Sequence, residues 1–330
     1  MENMGDIFNN SKVLITGGAG FIGSNLAIKL VDLGARVEIF DSLIPEQGGN
    51  LHNLDGINEK IKFTKADIRD EKKITRSVKD KDFLFNLAAY TSHDGSMKDP
   101  FTDFDINCRG NLILLEACRK NNPNIKIIYT GTRGQYGRII YTPVDEKHPI
   151  NPVDANGISK MAGEMYHFLF HNVYGLKVTS LRLTNTYGPR HLMTHGKLGF
   201  VNWFIRLAMD NEKINVFDGS QIRDINFVDD VAQALLMTAV DKRTDGEIFN
   251  LGSGKPISIL NMTKLIIKTV GSGDYEKIQY PKERKKIEIG DYVANFNKIK
   301  SLTGWGPKTL LKEGLKKTIE FYKLNKKNYW

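Results

Sequence analysis

The stretch Val13-Leu14-Ile15-Thr16-Gly17-Gly18-Ala19-Gly20-Phe21-Ile22-Gly23-Ser24-Asn25-Leu26 decides the fold. Val13 to Ile15 is a short apolar run of the kind buried in a parallel strand, and Leu26, Ile28 and Leu30 open an amphipathic helix behind it. Between them the glycines fall as Gly17-x-x-Gly20-x-x-Gly23, the strand–turn–helix context in which a glycine fingerprint carries meaning. Gly17 permits the tight turn, Gly20 lets a diphosphate approach the backbone, and Gly23 lets helix and strand pack closely. Free N–H groups and the positive end of the helix then face the anion. A second strand, Arg36 to Phe40, ends in Asp41, where a carboxylate holds the ribose hydroxyls of a dinucleotide. Asp41 repels a 2′-phosphate, and Ser42-Leu43-Ile44 offers no arginine to receive one. The expected cofactor is NAD.

Further strand signals recur between helical patterns at 62–66, 83–87, 125–130 and 177–182, which implies a doubly wound parallel sheet. The helix expected from about Asp99 to Lys120 is striped by Phe101, Phe104, Cys108, Leu112 and Leu115. The helix expected from about Ala155 to Val173 is striped by Ile158, Met161, Met165 and Phe168. Ile113, Leu114 and Phe170 lie off those stripes, so both helices need a second apolar partner, and a homodimer is expected. Beyond Arg182 the texture changes. Residues 183–199 read as a loop, Phe200–Met209 as a helix, and Ile222–Val240 and Glu247–Gly252 as a helix and strand returning to the first lobe. Two more helices are expected after Lys255, the last striped at Leu311, Leu315, Ile319 and Tyr322. The fold expected is therefore α/β, a Rossmann-type sheet with a smaller, discontinuous C-terminal substrate lobe. Residues 1–182 form the first lobe, with 222–254 returning to it, and 183–221 plus 255–330 form the second.

With 330 residues, 41% hydrophobic and 26% charged, the chain has the balance of a soluble globular protein. No apolar run approaches the roughly 20 residues that span a bilayer. The first residues carry neither the basic region nor the apolar core of a signal peptide, so the cytoplasm is the expected location. Cys108 and Cys118 stand on one helix, roughly 15 Å apart along its axis, and cannot bridge each other. The net charge of +9 comes from lysines that are spread out and lack interleaved aromatics. That pattern speaks against nucleic acid and suits an anionic small molecule.

Thr16 to Gly23, Asp41, Asp67-Ile68, Asn86 to Ala89, Asn107, Thr130 to Gly137, Lys160, Leu181 to Asn185, Arg223-Asp224 and Phe227 to Asp230 together resemble a known family. It is the extended short-chain dehydrogenase/reductases that act on nucleotide sugars, the epimerase/dehydratase family, and the resemblance covers nearly the whole chain. It implies NAD held by Gly17, Gly20, Phe21, Ile22, Gly23, Asp41, Asp67, Ile68, Leu87, Ala88, Ala89, Asn107 and Lys160. It implies a nucleotide-diphosphate sugar held by Asp94, Ser96, Thr132, Asn185, Lys197, Val216, Arg223 and Arg284, and no metal. Forked guanidinium groups and amide donors suit a diphosphate on independent grounds.

Chemistry in this family begins with hydride transfer from a sugar carbon to NAD, giving a keto-sugar intermediate, so a base must take the hydroxyl proton. The resemblance implies a Ser/Thr, a Tyr and a Lys, the last two as Tyr-x-x-x-Lys. Thr132 and Lys160 fill two of these places, but position 156 is Asn. A carboxamide cannot act as a base near neutral pH. Tyr90 and His93 are the first substitutes to consider, with Asp94, His191 and His195 behind them. The family's 4,6-dehydratases carry Asp-Glu directly after the threonine, whereas Arg133-Gly134 follows Thr132 here, which disfavours dehydration. The expected activity is that of an NAD-dependent nucleotide-sugar epimerase or oxidoreductase with an atypical proton-transfer group. A catalytically silent binding protein is the alternative.

Overall fold

The computed structural model describes residues 4–45 and 47–330. Seven strands form one parallel sheet: β1 (Lys12–Thr16), β2 (Arg36–Asp41), β3 (Ile61–Lys65), β4 (Phe83–Asn86), β5 (Lys126–Thr132), β6 (Lys177–Leu183) and, later in the chain, Glu247–Leu251. Their spatial order is β3-β2-β1-β4-β5-β6, closed by Glu247–Leu251 at the far edge. The winding direction reverses between β1 and β4. At such a switch point the connections diverge and leave a crevice at the strands' carboxyl ends. The inner strands are buried on both faces, as in Val13, Leu14 and Ile15 of β1, each fully buried, whereas the edge strand β3 is only partly buried.

One face of the sheet is covered by the helices Phe21–Asp32 and Val228–Val240, which bury Leu26, Leu30, Val231 and Leu235 against Val13 and Ile15. The other face carries Gly110–Asn121 and Ala155–Tyr174, with Leu114, Leu115, Cys118 and Phe170 in its core. Asp154 caps the latter helix, its Oδ1 accepting from Gly157 N at 2.7 Å, and Gly175 ends it in the left-handed region at φ 73°. Both cysteines are buried and free.

Several expectations are corrected. The helix read from about Asp99 is Pro100–Phe104 followed by a π-helical turn, Asp105–Arg109, and then Gly110–Asn121. Its stripe splits: Phe101 is 82% exposed and Phe104 half exposed, whereas Cys108 and Leu115 are buried; on the other helix Ile158 and Met165 likewise face outward. The segment read as one helix from Ile222 begins with a strand, because Ile225 and Phe227 alternate into a second core before the helix starts at Val228. In chain order the remaining strands are β7 (Asn185–Tyr187), β8 (Lys213–Phe217), β9 (Ile222–Phe227), β10 (Glu247–Leu251, the edge strand above), β11 (Pro256–Ser258) and β12 (Asp274–Ile278). β9 lies between β7 and β11, and β8 pairs with β12. After Lys255 there are four helices rather than two: Ile259–Val270, Lys282–Lys286, Asn297–Thr303 and Leu311–Asn325. The second core joins Ile205, Ile214, Val216, Met262, Ile266, Leu315 and Ile319. No helix among the described residues is long and apolar enough to cross a membrane.

Candidate active site

A continuous cleft of about 1040 Å³ runs from the glycine turn, over the carboxyl ends of the sheet, to Arg223 and Arg284. At the glycine end, Gly17 turns the chain at φ +66°, and a β-carbon there would lie 2.9 Å from the Ala88 backbone. A β-carbon at Gly23 would lie 2.3 Å from the Gly17 carbonyl oxygen. Gly20 begins the helix Phe21–Asp32 without a side-chain cap, so the first-turn N–H groups stay open to an anion. Asp41 ends β2 with its carboxylate fixed: Oδ2 accepts from Ala19 N at 3.0 Å and Oδ1 from Leu43 N at 2.9 Å. Burial pushes its pKa up, against those two bonds. Thr16 Oγ1 donates to Asn86 Oδ1 and accepts from the Leu87 and Ala88 N–H groups, which ties the turn after β4 to the end of β1. The open helix end, the side-chain-free cradle and the poised carboxylate fit an adenine dinucleotide. Phe21, Ile22, Asp67, Ile68 and Ala89 line the same end, with Asp67 held in a bidentate pair by Arg69.

At the middle of the cleft, β5 delivers Thr132. Its Oγ1 accepts from Gly134 N at 3.2 Å while its own N–H donates to Gln135 Oε1 at 2.7 Å, a capping arrangement that leaves the hydroxyl proton to be donated elsewhere. Lys160 is buried on the facing helix, with Nζ 4.6 Å from the Tyr129 ring centroid. Burial pushes its pKa down to about 8, against the charges of Asp103 and Glu164. Glu164 is itself buried in an ion pair with Arg182.

Asn156 is buried and committed elsewhere. Its Nδ2 donates to the Tyr90 carbonyl at 2.7 Å and to Asp103 Oδ2 at 2.9 Å, and its backbone N donates to Ser96 Oγ at 3.2 Å. It is a bracket beneath the Tyr90 segment. His93 lies above that bracket, its Nδ1 2.6 Å from Asp154 Oδ2. Burial pushes the Asp154 pKa up, but the hydrogen bond and charge of His93, with the Gly157 N–H, hold it below the usual carboxylate range.

The far end holds the cations. Arg223 is buried, paired with Glu288 at 2.6 Å and bonded to the Ile222 and Gly290 carbonyls; Tyr280 donates to Glu288 as well. Arg284 pairs with Asp94. Arg133 lines the cleft with its Nε buried and without a hydrogen-bond partner, and burial and the charge of Arg223 push its pKa down to about 10. Asn185 Nδ2 is likewise buried and unpartnered.

The cleft thus brings together Tyr90, His93, Asp94, Thr132, Asn156, Lys160, Asn185, Lys197, Arg223 and Arg284 from the sequence reading. Three expected residues stand behind its wall. Asn107 is fully buried and clamps the Tyr90 backbone at both N and O. Ser96 is buried with its hydroxyl on the His93 carbonyl. Val216 packs in the second core while its neighbours Asn215 and Phe217 reach the cleft, as strand alternation requires. Asp154, Tyr280 and Glu288 were not singled out in the sequence, and Arg133 was read there only as the absence of an acid after Thr132. For Asp154 the N-cap position before the Lys160 helix was the available signal.

A family model described as GDP-mannose 4,6 dehydratase matches residues 14–318. A putative UDP-glucose 4-epimerase of Methanocaldococcus jannaschii is 37% identical over 318 residues, covering 95% of this chain and 99% of its own. The crystal structure of a UDP-glucose 4-epimerase from Thermotoga maritima with UDP-glucose is 34% identical, with a TM-score of 0.86, covering 95% of this chain and 99% of the other. A Thermus thermophilus UDP-glucose 4-epimerase in complex with NAD is 28% identical, with a TM-score of 0.85, covering 94% and 99%.

Proposed function

Because this chain belongs to the GDP-mannose 4,6 dehydratase family, among the NAD-dependent nucleotide-sugar epimerases and dehydratases of the extended short-chain dehydrogenase/reductase superfamily, we propose that it is a 4-epimerase of a UDP-glucose-type nucleotide sugar. The observation that carries this reading is the turn after Thr132. Arg133 and Gly134 stand there, and neither is a carboxylic acid that could protonate a leaving hydroxyl. Elimination of water has no acid at that position, whereas inversion needs none.

NAD, held by the glycine turn and Asp41, would supply a reversible hydride acceptor for the sugar carbon. The chain's own groups do the rest. In this reading the glycine turn and Asp41 hold the adenosine half, and Lys160 fixes the nicotinamide ribose while placing a positive charge beside the reacting hydroxyl. Thr132 donates a hydrogen bond to that hydroxyl, and Arg223, Asn185 and Arg284 receive the diphosphate. The unpaired guanidinium of Arg133 donates to an oxygen of the sugar end, which satisfies its buried Nε. Residues 1–182 with 228–254 serve the cofactor, and 183–227 with 255–330 supply the diphosphate ligands of the nucleotide sugar, because Ile222–Phe227, which carries Arg223, is a strand of the second core.

The outward apolar face of Phe101, Phe104, Ile158, Met165, Leu169 and Val173 is assigned to a two-fold pairing of helices between copies of the chain. A monomer by light scattering at micromolar concentration would contradict that assignment.

Mass spectrometry of nucleotides released from the purified protein, with an assay of UDP-glucose to UDP-galactose conversion, tests the activity. NAD accompanied by a UDP-hexose, and inversion without net nicotinamide turnover, are expected. Accumulation of a 4-keto-6-deoxy sugar would overturn the epimerase reading in favour of a dehydratase.

A further inference from the structure

We propose that His93, oriented by Asp154, takes and returns the sugar hydroxyl proton in the role that position 156 has vacated. The proposal rests on the epimerase reading and names the group that reading leaves open.

The proton acceptor must line the cleft near Thr132 and carry a free lone pair near neutral pH. Asn156 lacks one, and its amide is spent on Tyr90 and Asp103. Lys160 Nζ lies 4.6 Å from the Tyr129 ring centroid, and the charges of Asp103 and Glu164 favour its ammonium, which has no pair to offer. His191 is neutral, burial having pushed it down to about 4, but its ring packs edge-on against Phe21 at 4.8 Å, at the glycine end. The Tyr90 hydroxyl is turned toward Gly95, where a β-carbon would meet it at 2.4 Å.

His93 stands where such an acceptor must stand. Its side chain is 39% exposed and lines the cleft. Asp154 is held ionised below the usual range, so the 2.6 Å contact is Nδ1–H donating to carboxylate. In the neutral ring, that arrangement leaves the lone pair on Nε2. A β-carbon at Gly134 would lie 3.1 Å from His93 Cε1 and 3.7 Å from Thr132 Oγ1, so the imidazole and the threonine hydroxyl border the same small space, kept open by a glycine. Asp154 also caps the helix that carries Lys160, which fixes the imidazole in register with the lysine.

Other charges around the pair are Arg133, which acts on Asp154, the Asp94–Arg284 ion pair on the adjoining residue, and Lys160. The proton balance is simple. The substrate O–H bond breaks, the proton passes to Nε2, and the C–H electron pair departs with the hydride as the carbonyl forms. Return of the hydride from the cofactor to the opposite face of the carbonyl carbon, with the proton going back from Nε2 to the oxygen, restores neutral imidazole and the hydroxyl. Asp154 stabilises the transient imidazolium and acts as a positioning residue, not a proton acceptor.

The test uses the full-length protein with its bound nucleotides. His93→Gln should slow substrate-driven nicotinamide absorbance by about a hundredfold to ten-thousandfold, with UDP-glucose affinity within threefold of wild type. His93→Gly should regain rate on addition of free imidazole, which a structural role would not allow. The acid limb of the wild-type pH profile should vanish in His93→Gln. Ring 15N shifts should show the Nδ1–H tautomer, lost in Asp154→Asn, and should move when UDP-glucose binds. A His93→Gln rate within threefold of wild type, or a loss confined to affinity, would overturn the proposal. If the wild-type chain reduces no NAD with any UDP-hexose, the epimerase reading fails by itself. The ring shifts then decide separately: a His93 ring unmoved by UDP-glucose overturns the pair as well.

Discussion

The two ends of the cleft are built on different length scales. At the end assigned to the cofactor, Gly17, Gly20, Gly23 and Asp41 lie within one strand–helix–strand unit, and Asp41 is fixed by Ala19 N and Leu43 N, close to it in the chain. At the reaction end, Asn156 meets Asp103 53 residues away and Tyr90 66 residues away, while His93 meets Asp154 across 61. A local unit can keep its chemistry while the distant constellation is rebuilt. Here the rebuilt part exchanges a phenol on the Lys160 helix for an imidazole on the facing segment, and the position left behind becomes a structural bracket.

That contrast can be broken first in acid. His167 stands behind the reaction end, bonded to the Gly163 carbonyl and 3.3 Å from Asn86 Nδ2, and His191 stands at the cofactor end. Burial pushes both down to about 4. Folded, they stay neutral; unfolded, they take up protons at the ordinary value near 6.5. Between those values the unfolded chain binds more protons, so stability falls as pH drops from about 6.5 to 4, by about 3 kcal/mol for each histidine once below the folded value. Denaturant unfolding at pH 7 and pH 4.5 checks this, and equal stabilities would contradict it.

Next in size is Asp154→Asn. Asparagine caps a helix as well as aspartate does, so stability should hold. The loss of charge beneath His93 should lower kcat about a hundredfold, roughly 2.7 kcal/mol of barrier, with KM nearly unchanged. Steady-state kinetics beside a melting curve separates the two effects.

Arg133→Met sharpens the division between the ends. Removing a charged donor should raise KM for the nucleotide sugar about tenfold to hundredfold and leave NAD affinity unaltered, as measured by titration calorimetry. The smallest effect is expected from Asp41→Ala. The preference for NAD over NADP should narrow by about tenfold, roughly 1.4 kcal/mol. Equal affinities for the two in the unaltered protein would contradict the assignment of Asp41.

The cofactor end was legible in the sequence for the reason that makes it rigid. A glycine turn and a carboxylate at a strand end are local requirements with a fixed spacing. The inner parallel strands were legible because burial on both faces makes them apolar runs. What could not be read were long-range pairings. Asn107, Ser96 and Val216 were expected at the cleft and lie behind it, because a π-helical turn, a short capped helix and strand alternation decide which way each points. Ile222–Phe227 read as helix because its apolar residues run into those of Val228–Val240, and only pairing with β7 and β11 reveals the strand. Asp154 was not read as a site residue, because its contact with His93 depends on how two distant segments pack.

The sharpest test is the single-turnover rate of nicotinamide absorbance after mixing the NAD-loaded protein with UDP-glucose, in wild type and in Asn156→Tyr. A tyrosine there would stand one turn before Lys160, on the same helix face. It would also remove the donor that holds the Tyr90 carbonyl and Asp103. With the proton route through His93, the tyrosine variant is predicted to be no faster than wild type. A gain of about a hundredfold or more, roughly 2.7 kcal/mol of barrier, would show instead that position 156 still governs the proton and that His93 does not.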